Sequence, residues 1–151
     1  MNRHSVAYCV NVKTGERSLA SSGHETRVQM DSSGFEKDNE TFVAIYNPPV
    51  RVIVVGAVHI AQALVPMLRL TGFDPILVDP RESFGSEERF PGEKPIIEWP
   101  CDALENLGND RRTALILLTH DPKLDDPALE FALSSKYFYI GVLGSRKTHA
   151  K

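Results

Sequence analysis

The hydrophobic pattern changes character near residue 50. Before that point it is patchy and has a period of two. Val6, Tyr8, Val10 and Val12 alternate with Ala7, Cys9 and Asn11, as in a strand. Lys13-Thr14-Gly15-Glu16 then reads as a turn, and Arg17 to Ala20 as the returning arm of a hairpin. Residues 21–40 are rich in Ser, Gly, Glu and Asp and predict loop or weak strand. Thr41 to Tyr46 is β-branched and aromatic, hence another strand. Asn47-Pro48-Pro49 halts any regular element. A boundary is set there, giving a small β-rich segment over 1–47 and a second domain over 48–151.

Beyond the boundary the apolar runs are continuous. Arg51-Val52-Ile53-Val54-Val55 has no polar face, as a strand buried on both sides requires. From Ala57 the spacing becomes helical, through Ala61, Leu64 and Leu68 to Gly72 at the C′ position, with Pro66 expected to kink the helix. Ile76 to Asp79 is a second strand. Residues 81–95 form a polar loop anchored by Phe84, Phe90 and Pro91. Ile96 to Trp99 is a short third strand. Asp102 and Glu105 have capping-box spacing for a helix that ends at Gly108. Ala114 to Thr119 is the fourth strand. Asp126-Pro127 is read as N-cap and first residue of a helix running to about Ser135. Tyr137 to Val142 is the fifth strand. Alternating strand and helix predict an α/β fold, a doubly wound Rossmann-like parallel sheet of order 3-2-1-4-5.

Composition narrows the partners. The 151 residues carry 17 Lys+Arg against 20 Asp+Glu, a formal net charge of -3, spread evenly along the chain. There is no basic footprint, so nucleic acid is excluded as the main partner. No apolar run reaches the length of a membrane span. Cys9 and Cys101 form no CxxC, which argues against a disulfide framework or a structural zinc site. The N-terminus is too polar for a signal peptide, so the expected compartment is the reducing cytoplasm.

In a doubly wound sheet, ligands bind beyond the carboxyl ends of the strands, where the strand order reverses. Four clusters gather there. They are Gly56-Ala57-Val58-His59, Asp79-Pro80-Arg81, His120-Asp121 and Gly144-Ser145-Arg146. The first is close to a dinucleotide fingerprint. Gly56 suits the tight turn, Ala61 the close helix packing, and Asp79 lies 23 residues on, where a ribose-binding carboxylate belongs. Val58 stands where the middle glycine should be, and a β-branched side chain there obstructs a pyrophosphate. NAD(P) binding is thereby weakened, while a single phosphate can still meet the helix N-terminus. His59 and His120 either share one cleft or are polar rim residues. Asp121 either lines the cleft or caps a turn. Arg81 and Arg146 either bind phosphate as forked donors or are simply solvated.

These residues carry a family resemblance. Val54-Val55-Gly56-Ala57-Val58-His59-Ile60-Ala61 resembles the Gly-Ala-Gly-His-Ile-Ala segment of the XdhC/CoxI family. Val78-Asp79-Pro80-Arg81, Glu88-Arg89-Phe90-Pro91, Leu118-Thr119-His120-Asp121 and Tyr139 to Arg146 are similar to its other signatures, in the same order. The resemblance implies a cofactor chaperone rather than an enzyme. Such proteins bind the molybdenum cofactor (molybdopterin), assist its sulfuration by a cysteine desulfurase, and deliver it to a xanthine dehydrogenase-type apoenzyme. It further implies a cofactor-binding set of Gly56, Val58, His59, Asp79, Arg81, His120, Asp121, Ser145 and Arg146. No catalytic residue and no metal ligand is assigned. The family's N-terminal Gly- and Cys-bearing motif has no counterpart here. The alternatives are an NAD(P)-dependent oxidoreductase and a nucleotide-sensing module. The chain stops soon after the fifth strand, where a covering layer is due. The expectation is that C-terminal elements are lacking, or that another protomer of a homo-oligomer shields that strand.

Overall fold

A computed structural model describes residues 3–144 and divides the chain into two compact units, residues 1–48 and 49–151. The first unit is an antiparallel sheet of β1 (Val6–Asn11), β2 (Arg17–Ala20), β3 (Gly34–Phe35) and β4 (Thr41–Tyr46), in the order β2-β1-β4-β3. The predicted β1–β2 hairpin is present. Asn11 closes its turn by accepting the Lys13 and Thr14 amides on Oδ1, at 3.0 and 2.9 Å. Residues 21–40 are more structured than their composition suggests. They hold a short helix, α1 (Glu25–Gln29), and the two-residue strand β3. Ala7 on β1 and Val43 on β4 are buried, whereas Val12 is 56% exposed. Ala7 is the one fully buried position of β1; the rest of the strand is half-buried on both faces.

The second unit is built on β5 (Arg51–Val55), β6 (Asp74–Val78), β7 (Thr113–Leu117) and β8 (Tyr139–Val142). All four are parallel, in the order β6-β5-β7-β8. The predicted third strand is present only as a single parallel bridge, Val78 to Ile96. It lies beside β6, as the order 3-2-1-4-5 requires. Pro95 and Pro100 leave four residues between them, and Pro100 already opens the next helix, so no ladder can extend.

The uninterrupted apolar strands serve two layers. Ile53, Val55, Val78, Leu115 and Leu117 face one side, packed with Ala103 and Leu104 of α3 (Pro100–Leu107) and Ala128 and Ala132 of α4 (Pro122–Leu133). Val52, Val54, Leu77 and Ala114 face the other side, packed with Ala61 of α2 (His59–Leu70) and Phe90. Successive side chains of a strand point to opposite faces, so a strand buried on both cannot show a polar period. Phe84 and Phe90 anchor the 81–95 loop as expected, Phe90 within the core and Phe84 against it, and a short 3₁₀ turn (Glu82–Gly85) forms in that loop.

Helix boundaries differ in three places. α2 runs through Pro66 and ends at a left-handed Gly72, with the Phe73 amide bonded back to Leu68. Its first helical residue is His59, not Ala57. α3 begins at Pro100, with Trp99 as N-cap and no side-chain cap, so the Asp102/Glu105 box is not used. α4 begins one turn before the expected Asp126-Pro127. Asp121 is its N-cap and Pro122 its first residue, and Pro127 lies inside the helix. Both Asp-Pro pairs carry the same start signal; the contacts made by Asp125, described below, select the earlier one. Among the described residues, no helix is long and apolar enough to cross a membrane.

Leu115 is fully buried and Leu133 is 71% exposed. Leu115→Ala should therefore cost about 2–5 kcal/mol, and Leu133→Ala less than about 0.5 kcal/mol, in urea titrations followed by circular dichroism.

Candidate functional site

The carboxyl edge of the parallel sheet gathers the predicted residues. Order reverses between β5 and β7, and there the chain leaves β5 through Gly56, at φ 108°. A Cβ at this position would lie 2.9 Å from Thr119 Cγ2 and 3.1 Å from the Thr119 amide nitrogen. Both the backbone angle and the space demand glycine. The Gly56 amide donates to Val78 O at 2.8 Å, tying the turn to β6.

Asp79 follows β6 and is fully buried. Its Oδ2 accepts the Ala57 amide at 2.8 Å and Arg81 Nη2 at 2.7 Å. Its Oδ1 accepts Arg81 Nε at 2.8 Å and the Arg81 amide at 2.9 Å. Burial pushes this carboxyl up, but the Arg81 guanidinium and the Arg81 and Ala57 amides outweigh it and hold it below the ordinary range. Arg81 is raised by the Asp79 hydrogen bond, against its own burial, with further support from the charges of Asp121 and Asp125. Its guanidinium carbon lies 3.8 Å from the centre of the Phe84 ring, and Arg89 approaches the same ring at 5.3 Å.

This geometry bears on two of the expected site residues. Asp79 has both oxygens engaged by Ala57 and Arg81 inside the protein. Arg81 turns Nε and Nη2 onto Asp79. The reason is common to both: a buried carboxylate needs a cation and donors, and the guanidinium two residues away supplies them.

The first turn of α2 is open. Val58 is its N-cap in an extended conformation, and no side chain caps it. The leading amides of a helix have no intrahelical acceptor, and the dipole adds partial positive charge. The Val58 side chain packs against the Ala61–Phe90 cluster. His59 is exposed and makes no side-chain hydrogen bond among the described residues.

The neighbouring loop is built differently. Asp121 caps α4, accepting the Lys123 amide on Oδ1 at 3.0 Å. It therefore takes the capping role, leaving α2 as the uncapped helix start at the switch point. Asp125, one turn into α4, is buried; its carboxylate accepts Thr119 Oγ1 at 2.7 Å and the His120 amide at 2.9 Å. Burial pushes this carboxyl up, against the pull of those two donors. His120 is held in a left-handed conformation, φ 59°, with its side chain exposed. A non-glycine residue in that region stores strain, and such strain concentrates at functional sites.

The structure thus brings Gly56, Val58, His59, Asp79, Arg81, His120 and Asp121 to one edge of the sheet. Ser145 and Arg146 lie outside the described residues. The sequence reading missed Thr119 and Asp125 as supports of His120. It also missed Arg89 as a partner of Phe84. Asp125 carries only a weak signal, a carboxylate that follows a Thr-His-Asp-Pro turn by one helical turn. Among the described residues no group of three His, Cys, Asp or Glu side chains is arranged to hold a metal.

Gly56→Ala should cost about 1–3 kcal/mol in a urea titration, from strain and the Thr119 clash together. Asp79 sets a pH dependence. Its folded pKa lies below the unfolded value of about 3.9, so its stabilisation is present above that value and lost as pH falls through the folded one. Asp125 is shifted the opposite way and opposes this loss. The difference in stability between wild type and Asp79→Asn should shrink as pH falls below about 4. An acid titration of both proteins by circular dichroism measures it, and a difference independent of pH contradicts the assignment.

The same region is recognised by comparison. Residues 52–151 match the model of the XdhC Rossmann domain. The chain is 30% identical over 125 residues to the molybdenum cofactor insertion chaperone PaoD of Escherichia coli strain K12, covering 83% of this chain and 31% of that protein. It is 28% identical over 112 residues to a probable xanthine dehydrogenase subunit of Bacillus subtilis strain 168, covering 74% of this chain and 34% of that one. A solved xanthine dehydrogenase structure from Bacillus halodurans shares the fold, with a TM-score of 0.75 and 24% identity over 97% of this chain and 50% of that one. The chain spans about a third of the length of the curated relatives it matches. With the ordered motifs, the doubly wound sheet and the match across residues 52–151, the chain belongs to the XdhC family.

Proposed function

We propose that this chain is the Rossmann-bearing portion of an accessory protein that holds the molybdenum cofactor as cargo and passes it to a xanthine dehydrogenase-type apoenzyme. The observation that carries this reading is the similarity to a relative named as a molybdenum cofactor insertion chaperone, across most of the present chain. The site geometry supports it. The pterin of that cofactor ends in a phosphate, and the uncapped α2 N-terminus offers backbone donors to an anion. Gly56 and Val58 shape that turn, and His59 and His120 are exposed at the same sheet edge; Ser145 and Arg146 are assigned to the set from their motif alone. Asp79, Arg81 and Asp121 act as positioning residues, through the contacts described above.

In this reading residues 48–151 carry the cofactor site, and residues 1–47 form a separate accessory element. Sulfuration would bring in a cysteine desulfurase, and delivery would proceed from a homo-oligomer in the cytoplasm. The NAD(P)-dependent reading loses its main support, because the ribose-binding carboxylate is already satisfied.

Purified protein mixed with released molybdenum cofactor should retain it through gel filtration, read out by pterin fluorescence after oxidation. His120→Ala and Arg146→Ala should each weaken retention about tenfold, the worth of one charge-assisted hydrogen bond. No retention by any form, or micromolar NAD(P)H binding with turnover, overturns the proposal.

A further inference from the structure

The small antiparallel sheet carries a second cluster of reactive groups. β1 is an interior strand, paired with β2 on one side and β4 on the other. Its period-2 alternation puts Ala7 and Cys9 on one face. Ala7 is buried, whereas Cys9 is partly exposed and is not in a disulfide. The chain returns over this sheet through the 21–24 loop, where Glu25 Oε1 accepts the Gly23 amide at 2.8 Å. His24, the residue before α1, brings Nε2 to 3.5 Å from Cys9 Sγ, within reach for a sulfur hydrogen bond. Its other nitrogen, Nδ1, lies 3.7 Å from Glu36 Oε1. Glu36 directly follows β3, and its carboxylate is itself fixed. Arg27 Nε donates to the same oxygen at 3.2 Å, while Arg27 Nη2 donates to Phe35 O at 2.7 Å. Thiol, imidazole and carboxylate thus stand in sequence, each from a different element.

That order is the arrangement of a nucleophile, a base and an orienting group. We propose that Cys9 is a reactive thiol assisted by His24, and that it takes disulfide-class sulfur electrophiles. Acyl transfer would also require free backbone donors aimed at an oxyanion, whereas β1 is paired along both of its edges. Thiol–disulfide exchange has no such need, since the developing charge stays on sulfur. In the step, Cys9 Sγ attacks one sulfur of the disulfide and its proton passes to His24 Nε2. The S–S bond of the reagent breaks and a Cys9 mixed disulfide forms. His24 returns the proton to the departing thiolate, so a disulfide and a thiol become a mixed disulfide and a new thiol, with no net oxidation. Glu36, 3.7 Å from Nδ1, favours by its charge the orientation that turns Nε2 toward the sulfur.

Cys101 provides an internal control. It is also partly exposed, but burial pushes its thiol up, reinforced by the charges of Asp102, Glu105 and Glu130. It is the slower thiol of the two.

The test uses the full chain with the aromatic disulfide dithiobis-nitrobenzoate, followed by absorbance. Cys101→Ser, which leaves Cys9 as the reporter, should react about tenfold or more faster at pH 7 than Cys9→Ser. Adding His24→Gln to Cys101→Ser should slow the Cys9 reporter itself about tenfold, and free imidazole should restore part of the rate. Adding Glu36→Gln instead should give a smaller loss, about threefold. Circular dichroism checks that each variant is folded. If His24→Gln does not fold, the comparison of Cys101→Ser with Cys9→Ser and the Glu36→Gln rate decide. A Cys9 reporter rate indifferent to Glu36 and to His24, or a Cys9 reporter no faster than the Cys101 one, overturns the proposal.

Discussion

One buried ion pair organises the working edge of this protein. Asp79 lies at the end of β6 with no exposure to solvent, and its oxygens bind the Ala57 amide and three donors of Arg81. The Ala57 contact matters most for geometry. It fixes the turn between β5 and α2 against the neighbouring strand, so the open first turn of α2 has a set position. Without the Arg81 fork the carboxylate would be an uncompensated buried charge, a cost of roughly 3–5 kcal/mol in comparable pairs. The pair therefore fixes the geometry of the β5–α2 turn as well as neutralising a buried charge.

The two helix starts on either side of the switch point receive opposite treatment. α4 is closed by its own Asp121 side chain and by a Pro at the first position. α2 is left without a side-chain cap. Capping adds about 1 kcal/mol to a helix, so the uncapped start of α2 forgoes that stability and leaves its first amides open. The His120 loop shows the same balance. Its left-handed backbone is held by Asp125, a buried acid whose lone pairs go to Thr119 and the His120 amide. Strain in one residue is sustained by a support built one turn into the following helix.

Much of the fold was legible because burial on both faces leaves a plain mark. Val52 to Val55 and Ala114 to Leu117 are apolar without interruption, and only a central parallel strand explains that. The strand order followed from the alternation of elements, and the family from a handful of short motifs. The errors fall where local signals compete. Asp121-Pro122 and Asp126-Pro127 are equivalent as helix starts, and only the packing of Asp125 against Thr119 separates them. Ile96 to Trp99 has strand composition, but its flanking prolines confine it to one bridge. The helix and short strand within residues 25–35 are too brief to generate a period.

The site was legible as a place and not as a set of roles. Sequence alone determined the alternating architecture, the glycine turn after β5, and the residue types delivered to the carboxyl edge. These depend on local spacing and on the periods that helix and strand impose on any chain. Tertiary structure alone decided that Asp79 and Arg81 satisfy each other, that Asp121 is a cap, and that Asp125 supports His120. It likewise joined Cys9, His24 and Glu36, which are separated in the chain by a hairpin and a helix. The physical reason is the same throughout: hydrogen bonds and ion pairs act over about 3 Å, and which groups come that close is set by the packing of distant segments.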